Sequence, residues 1–113
     1  MRRNLEAKLA ILEAQDVTIV DRRLTYFDEA VDVNRICGGA VLFPGTRLVG
    51  ARTFVGPRAK VGIEGPAVLE NTLIGENAEI ASGYLREAVM LRDTGVGPNA
   101  HIRNAPSAPD RRA

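Results

Sequence analysis

The sequence counts in sixes. In the stretch LVGARTFVGPRAKVG (48–62), Gly recurs at 50, 56 and 62, each time preceded by Val, at 49, 55 and 61. A helix returns a side chain to one face about every 3.6 residues and a strand every second residue, so neither alone explains a recurrence at six. Phe43, Val49, Val55 and Val61 keep this spacing, as do Val68, Ile74 and Ile80, and again Val96 and Ile102. Small residues follow four places after several of them: Thr53 after Val49, Ala59 after Val55, Ala78 after Ile74 and Ala100 after Val96. A six-residue unit that turns one aliphatic and one small residue inward is the hexapeptide pattern of a parallel β-helix. Each unit makes a short flat strand and a turn. Three units close a triangular coil of eighteen residues, the step from Phe43 to Val61, and coils stack about 4.8 Å apart through backbone hydrogen bonds.

The beat is broken in two places. Val61 to Val68 is a step of seven, with the extra Gly-Pro of GIEGPAV looping out at a corner, and YLREAVMLRDTG (84–95) keeps only its apolar beat through Leu85, Val89 and Leu91. An antiparallel sandwich would instead alternate apolar and polar residues over five to eight positions, which this chain rarely does. With 4% aromatic residues, no Trp and 11 Gly, a narrow aliphatic core suits the composition better than one filled by rings.

Three zones follow. Residues 1–30 hold a helix and a lead-in strand. In RRNLEAKLAILEAQ (2–15), Leu5, Leu9 and Leu12 fall at helical spacing among Ala, Glu and Lys. A helix this short is marginal alone in water, so its Leu face must dock on the first coil and cap it. DVTIVD (16–21) alternates like a strand. Residues 31–103 form about four β-helix coils, and residues 104–113, NAPSAPDRRA, read as a flexible tail in which Pro106 and Pro109 cannot extend a strand ladder. The fold class is all-β.

Fifteen basic against fourteen acidic residues, a net charge of +1, give no overall field towards nucleic acid or an anionic membrane. No apolar run approaches the roughly 20 residues of a membrane span, and the start, Met1-Arg2-Arg3-Asn4, leads into the helix pattern instead of a signal peptide. A cytoplasmic address is expected. Cys37 is the sole cysteine, which excludes a disulfide framework and a thiolate metal cluster and suits a small buried side chain. No cofactor and no metal site is expected.

KLAILEAQDVTIVD, LTYFDEAVDV, PGTRLVGARTFVGP, IGENAEI and VGPNAHIR carry a family resemblance. From residue 5 to 103 the chain resembles the linker helix and first coils of the β-helix domain in UDP-N-acetylglucosamine pyrophosphorylases, including the bifunctional uridyltransferase/acetyltransferase. That resemblance implies a left-handed coil and a homotrimer packed side by side along flat faces. In those enzymes a nucleotide-binding domain precedes such coils, and an acetyltransferase base and acyl-CoA groove lie in later coils; neither has a counterpart in these residues. A longer β-helix or a nucleotidyltransferase is therefore a conceivable partner.

No catalytic residue is assigned. GGAVLFPGTRL (38–48) has the residue types of a phosphate loop, but AVLFP between them is too long and too apolar. His101, the only histidine, could titrate near neutral pH, yet its place in the resembled segment is not the catalytic one, and an outward position on a strand suits it. Arg103 matches the Arg that contacts the sugar-nucleotide in the acetyltransferase enzymes, which makes it the one candidate substrate-binding residue. These readings favour a non-catalytic assembly module. The alternative is a sugar-nucleotide uridyltransferase or acyltransferase component whose binding site is shared between subunits.

Overall fold

In the computed structural model, residues 2–103 are described, with side chains from Leu5 onward. The tail expected over 104–113 lies outside the described residues. The chain winds into a β-solenoid of about five turns behind one N-terminal helix, α1 (Arg2–Ala14). The first coil carries β1 (Thr18–Ile19), β2 (Tyr26–Phe27) and a bridge at Ile36; the second, β3 (Val41–Leu42), β4 (Thr46–Val49) and β5 (Phe54–Val55). The third has β6 (Lys60–Val61), β7 (Ala67–Glu70) and β8 (Leu73–Ile74), and the fourth β9 (Glu79–Ile80), β10 (Gly83–Arg86) and β11 (Val89–Met90). A fifth opens with β12 (Gly95–Val96) and β13 (Ala100–Arg103).

Each strand pairs in parallel with its counterpart one coil away, giving three flat sheets. Sheet A is β1-β3-β6-β9-β12, sheet B is β2-β4-β7-β10-β13, and sheet C is β5-β8-β11. Because β1 and β2 already pair with β3 and β4, the ladder begins before residue 31.

Stacked registers turn the inward residues into three apolar, mostly aliphatic columns: Leu42, Val61, Ile80 and Val96 under sheet A; Phe27, Leu48, Leu69, Leu85 and Ile102 under sheet B; Ile36, Val55, Ile74 and Met90 under sheet C. Two residues before each of them except Ile36 lies a small one, such as Ala40, Ala59, Ala78 and Thr94 on the way into sheet A, these four all buried. Three buried Thr hydroxyls donate to nearby carbonyls: Thr46 to Phe43 or Val61, Thr53 to Val49, and Thr72 to Glu70 or Leu85.

This register corrects the sequence reading in part. Phe43, Val49 and Val68 are half-buried, and their neighbours Leu42, Leu48 and Leu69 fill the columns. Leu48 to Val55 is seven residues because the corner after β4 holds one more, so a strict count of six from Val55 back to Phe43 slips by one. Likewise Val89 and Leu91 face outward, and Met90 between them faces in. Coils measure nineteen residues from Leu42 to Val61 and from Val61 to Ile80, then sixteen to Val96, not a constant eighteen. Gly50 is needed for its backbone: its φ is +93°, and a Cβ there would lie 2.2 Å from the Asn71 amide. Gly56 is needed for space, since a Cβ would come within 2.7 Å of the Glu76 nitrogen in the next coil.

Helix α1 lies across the first coil. Leu9 and Leu12 are buried in the same core as the columns, whereas Leu5, read above as part of the docking face, is 39% exposed. Gln15 Nε2 donates to the carbonyls of Val33 and Ile36 (3.1 and 2.9 Å), and Lys8 Nζ to those of Asp28 and Glu29 (3.1 and 3.0 Å). The helix ends in a Schellman turn: Asp16 has φ +67°, and Val17 N–H bonds the Leu12 carbonyl. GGAVLFPGTRL forms strand, corner and strand, with no helix start for a phosphate. Cys37 is half-buried, and burial pushes its thiol pKa up.

Candidate functional site

Chemistry-bearing side chains gather on the outer face of sheet B. Its strands are four residues long from β4 onward, so each shows two outward positions flanking the inward aliphatic one. The register stacks Arg47, Val68, Tyr84 and His101 in one outward column and Val49, Glu70, Arg86 and Arg103 in the other. Tyr84 Oη donates to Glu70 Oε1 at 2.6 Å. Arg86 Nε lies 3.7 Å from Glu70 Oε2, buried and beyond hydrogen-bond reach. The bond to the Glu70 carboxylate, with burial and the Glu70 charge adding to it, raises the Tyr84 pKa, against a downward pull from Arg86 and Arg103. The Tyr84 and His101 rings lie 5.6 Å apart at 49°. At the other end of the face, the Arg47 guanidinium sits 4.6 Å above the Tyr26 ring.

The arrangement is flat. His101 and Arg103 are exposed, and the ring contact to Tyr84 holds His101. A groove of about 430 Å³ lies at the far end between α1 and the first coil, lined by Leu5, Lys8, Tyr26, Phe27, Asp28 and Glu29. Among the described residues no group of three or more His, Cys, Asp or Glu could hold a metal ion, and no helix is long and apolar enough to cross a membrane.

The solenoid, its helix and its coil order can be set beside known proteins. The chain is 44% identical over 91 residues to the bifunctional protein GlmU of Thermobifida fusca, covering 79% of this chain. It is 34% identical over 87 residues to that of Mycolicibacterium vanbaalenii, covering 77%, and 35% identical over 89 residues to that of Micrococcus luteus, covering 79%. The chain is a GlmU-like β-helix. It is left-handed, as the resemblance implied. This GlmU-like chain spans only 16 to 17% of the length of those relatives. No family model matches it, and no solved structure does.

Within the GlmU-like β-helix, Arg103 and His101 stand on the same strand with outward side chains, next to each other's columns. Sequence reasoning missed their neighbours Glu70, Tyr84 and Arg86. A signal existed: Val-Leu-Glu (68–70), Tyr-Leu-Arg (84–86) and His-Ile-Arg (101–103) repeat one outward-inward-outward triplet. Their spacings of sixteen and seventeen do not fit a beat of six, which hid them.

Proposed function

We propose that this chain is a non-catalytic structural module, a GlmU-like β-helix that packs side by side with copies of itself or against a longer β-helix or nucleotidyltransferase partner. The observation that carries the proposal is the state of the polar cluster on sheet B. Glu70 is engaged by Tyr84 and faces Arg86, His101 leans on Tyr84, and the groove lies at the opposite end. Catalysis of phosphoryl or acyl transfer needs several groups converging on one reacting atom in a site that excludes water. A flat ladder on an outer wall offers neither. The resemblance supports a cytoplasmic address and assembly in threes. The test is an isotope-labelled assay of the 113-residue chain with UTP and N-acetylglucosamine 1-phosphate, then with acetyl-CoA and glucosamine 1-phosphate. No turnover above background is expected, and turnover lost in His101→Ala would overturn the proposal.

A second reading, a sugar-nucleotide-binding component with a site shared between subunits, draws on one feature. Arg86 and Arg103 are neighbours in one outward column, and two guanidinium groups at that spacing suit phosphate oxygens. Binding of UDP-N-acetylglucosamine that Arg103→Ala weakens tenfold or more would favour this reading.

A further inference from the structure

The corner between sheets B and C is built unequally. Four residues join β4 to β5, but only two join β7 to β8 and two join β10 to β11, so the second coil overhangs the third and fourth there. Gly50 begins the overhang, and the Asn71 amide is tucked against it, where its Oδ1 accepts the Arg52 N–H at 3.1 Å. That bond fixes the amide and leaves its Nδ2 pointing the other way as a donor. The Arg52 guanidinium hangs from the ledge past the third coil and stops 3.9 Å from Glu87 Oε2 of the fourth, too far for a hydrogen bond. Arg35 is held in place: its Nε and Nη2 donate to the Thr53 and Arg52 carbonyls at 3.3 and 3.2 Å, and its Cζ lies 5.6 Å from the centroid of the Phe54 ring. Between these groups is a groove of about 350 Å³ whose apolar floor is Leu73, Ala88 and Val89. Two guanidinium groups and an amide donor thus face a single carboxylate, Glu87, across it. The acids outside the lining are engaged elsewhere: Asp28 Oδ2 accepts from Gly50 N–H, Asp32 Oδ1 from Asn34 N–H and Glu70 Oε1 from the Tyr84 phenol.

We propose that this groove binds a small organic anion, a carboxylate or phosphate ester on a short apolar body, with Glu87 as its latch. The site goes beyond the assembly reading, and all of its groups belong to one chain. A mostly apolar groove of this size with a few placed polar groups suits a small ligand. The anion takes the place that Glu87 fills only at a distance: the Arg52 side chain, 69% exposed, swings from Glu87 to the ligand, and Arg35 and the Asn71 Nδ2 supply further donors. The apolar body lies on Leu73 and Val89 and removes their surface from water. An inorganic anion gains only the first set of contacts, and a neutral apolar molecule only the second. The site therefore selects for the two joined.

Fluorescence titration of the 113-residue chain with 8-anilinonaphthalene-1-sulfonate, an apolar body carrying one anionic group, tests this, and the chain has no Trp to interfere. One saturable site per chain is expected, from which phenyl phosphate displaces the probe at concentrations about tenfold below those needed of phenol or inorganic phosphate. Arg52→Gln and Leu73→Asp should each weaken binding about tenfold, with melting curves to confirm that both variants are folded. Glu87→Gln should tighten it several-fold, a gain that loss of structure would not produce. Absence of a saturable site, binding indifferent to Arg52→Gln, or binding not tightened by Glu87→Gln would overturn the proposal. So would binding lost on Leu5→Asp or on Arg103→Ala, which would put the probe in the groove beside α1 or on sheet B.

Discussion

Sheets B and C are walls of the same coils, backed by apolar columns of the same kind, yet their outer surfaces are opposite in character. Sheet B shows Arg47, Glu70, Tyr84, Arg86, His101 and Arg103 beside Val49 and Val68; sheet C shows Phe54, Leu73 and Val89. The difference teaches where the solenoid leaves sequence free. Inward positions are constrained by the residue one coil away, because only an apolar side chain packs well on another apolar side chain in a dry column. Outward positions answer only to solvent and partners, so any surface specificity is written there. Strand length amplifies the contrast, since the four-residue strands of sheet B show two outward columns and the two-residue strands of sheet C show one.

The sharpest way to break the comparison is to place the same charge on the two sides of sheet C. Val55→Asp puts a carboxylate into a column where Val55 is wholly buried, and should cost several kcal/mol and unfold the domain. Leu73→Asp, outward one coil above, should shift the melting temperature by no more than a few degrees. Equal melting curves for the two would refute the assignment of inside and outside. The next largest effect tests whether the columns continue into the helix: Leu12→Ala should cost about 2–5 kcal/mol in urea unfolding, while Leu5→Ala at the open groove should stay within about 0.5 kcal/mol.

On sheet B the effects are smaller and depend on pH. The carboxylate of Glu70 holds the Tyr84 phenol protonated, so its folded pKa lies above the ordinary value of 10. A raised pKa means the bond's contribution is fully present below about pH 10 and is lost as pH rises through the folded value. In a Tyr26→Phe background, phenolate absorbance should titrate higher than in the same chain carrying Glu70→Gln; coincident curves would show that the bond does not form in solution. Smallest of all, Arg47→Ala removes the stacking on Tyr26 and should cost about 0.5–1 kcal/mol.

Most of the interior was legible in the sequence, but its phase was only partly so. Val55, Val61, Ile74, Ile80, Val96 and Ile102 were read correctly as inward. Phe43, Val49 and Val68 were not, because corners of unequal length shift the count and each has an aliphatic neighbour one place away that competes for the column. Leu42-Phe43 and Leu48-Val49 are ambiguous pairs at the level of hydrophobicity; only the parallel register with Val61 and Leu69 resolves them. The outer cluster was less legible for a different reason. Glu70, Tyr84 and Arg86 come together through a ladder whose spacing is set by coil length, and Arg103 drew notice only through the family resemblance.

The columns stay vertical while the coils that carry them shrink from nineteen residues to sixteen, so surplus chain is stored at the corners and the walls carry none of it. The corner at Ile63-Glu64-Gly65 already holds such a surplus, tied to the next coil by the Ile63 and Glu64 amides on Ile80 and Ala81 carbonyls. Lengthening a closed loop costs only about 0.6 kcal/mol per doubling. A foreign peptide grafted between Glu64 and Gly65 would therefore be displayed on a rigid post, with Val61 and Leu69 held below it as they are now, and the molecule reads as a set of fixed shelves whose overhang is open to evolution and to engineering alike.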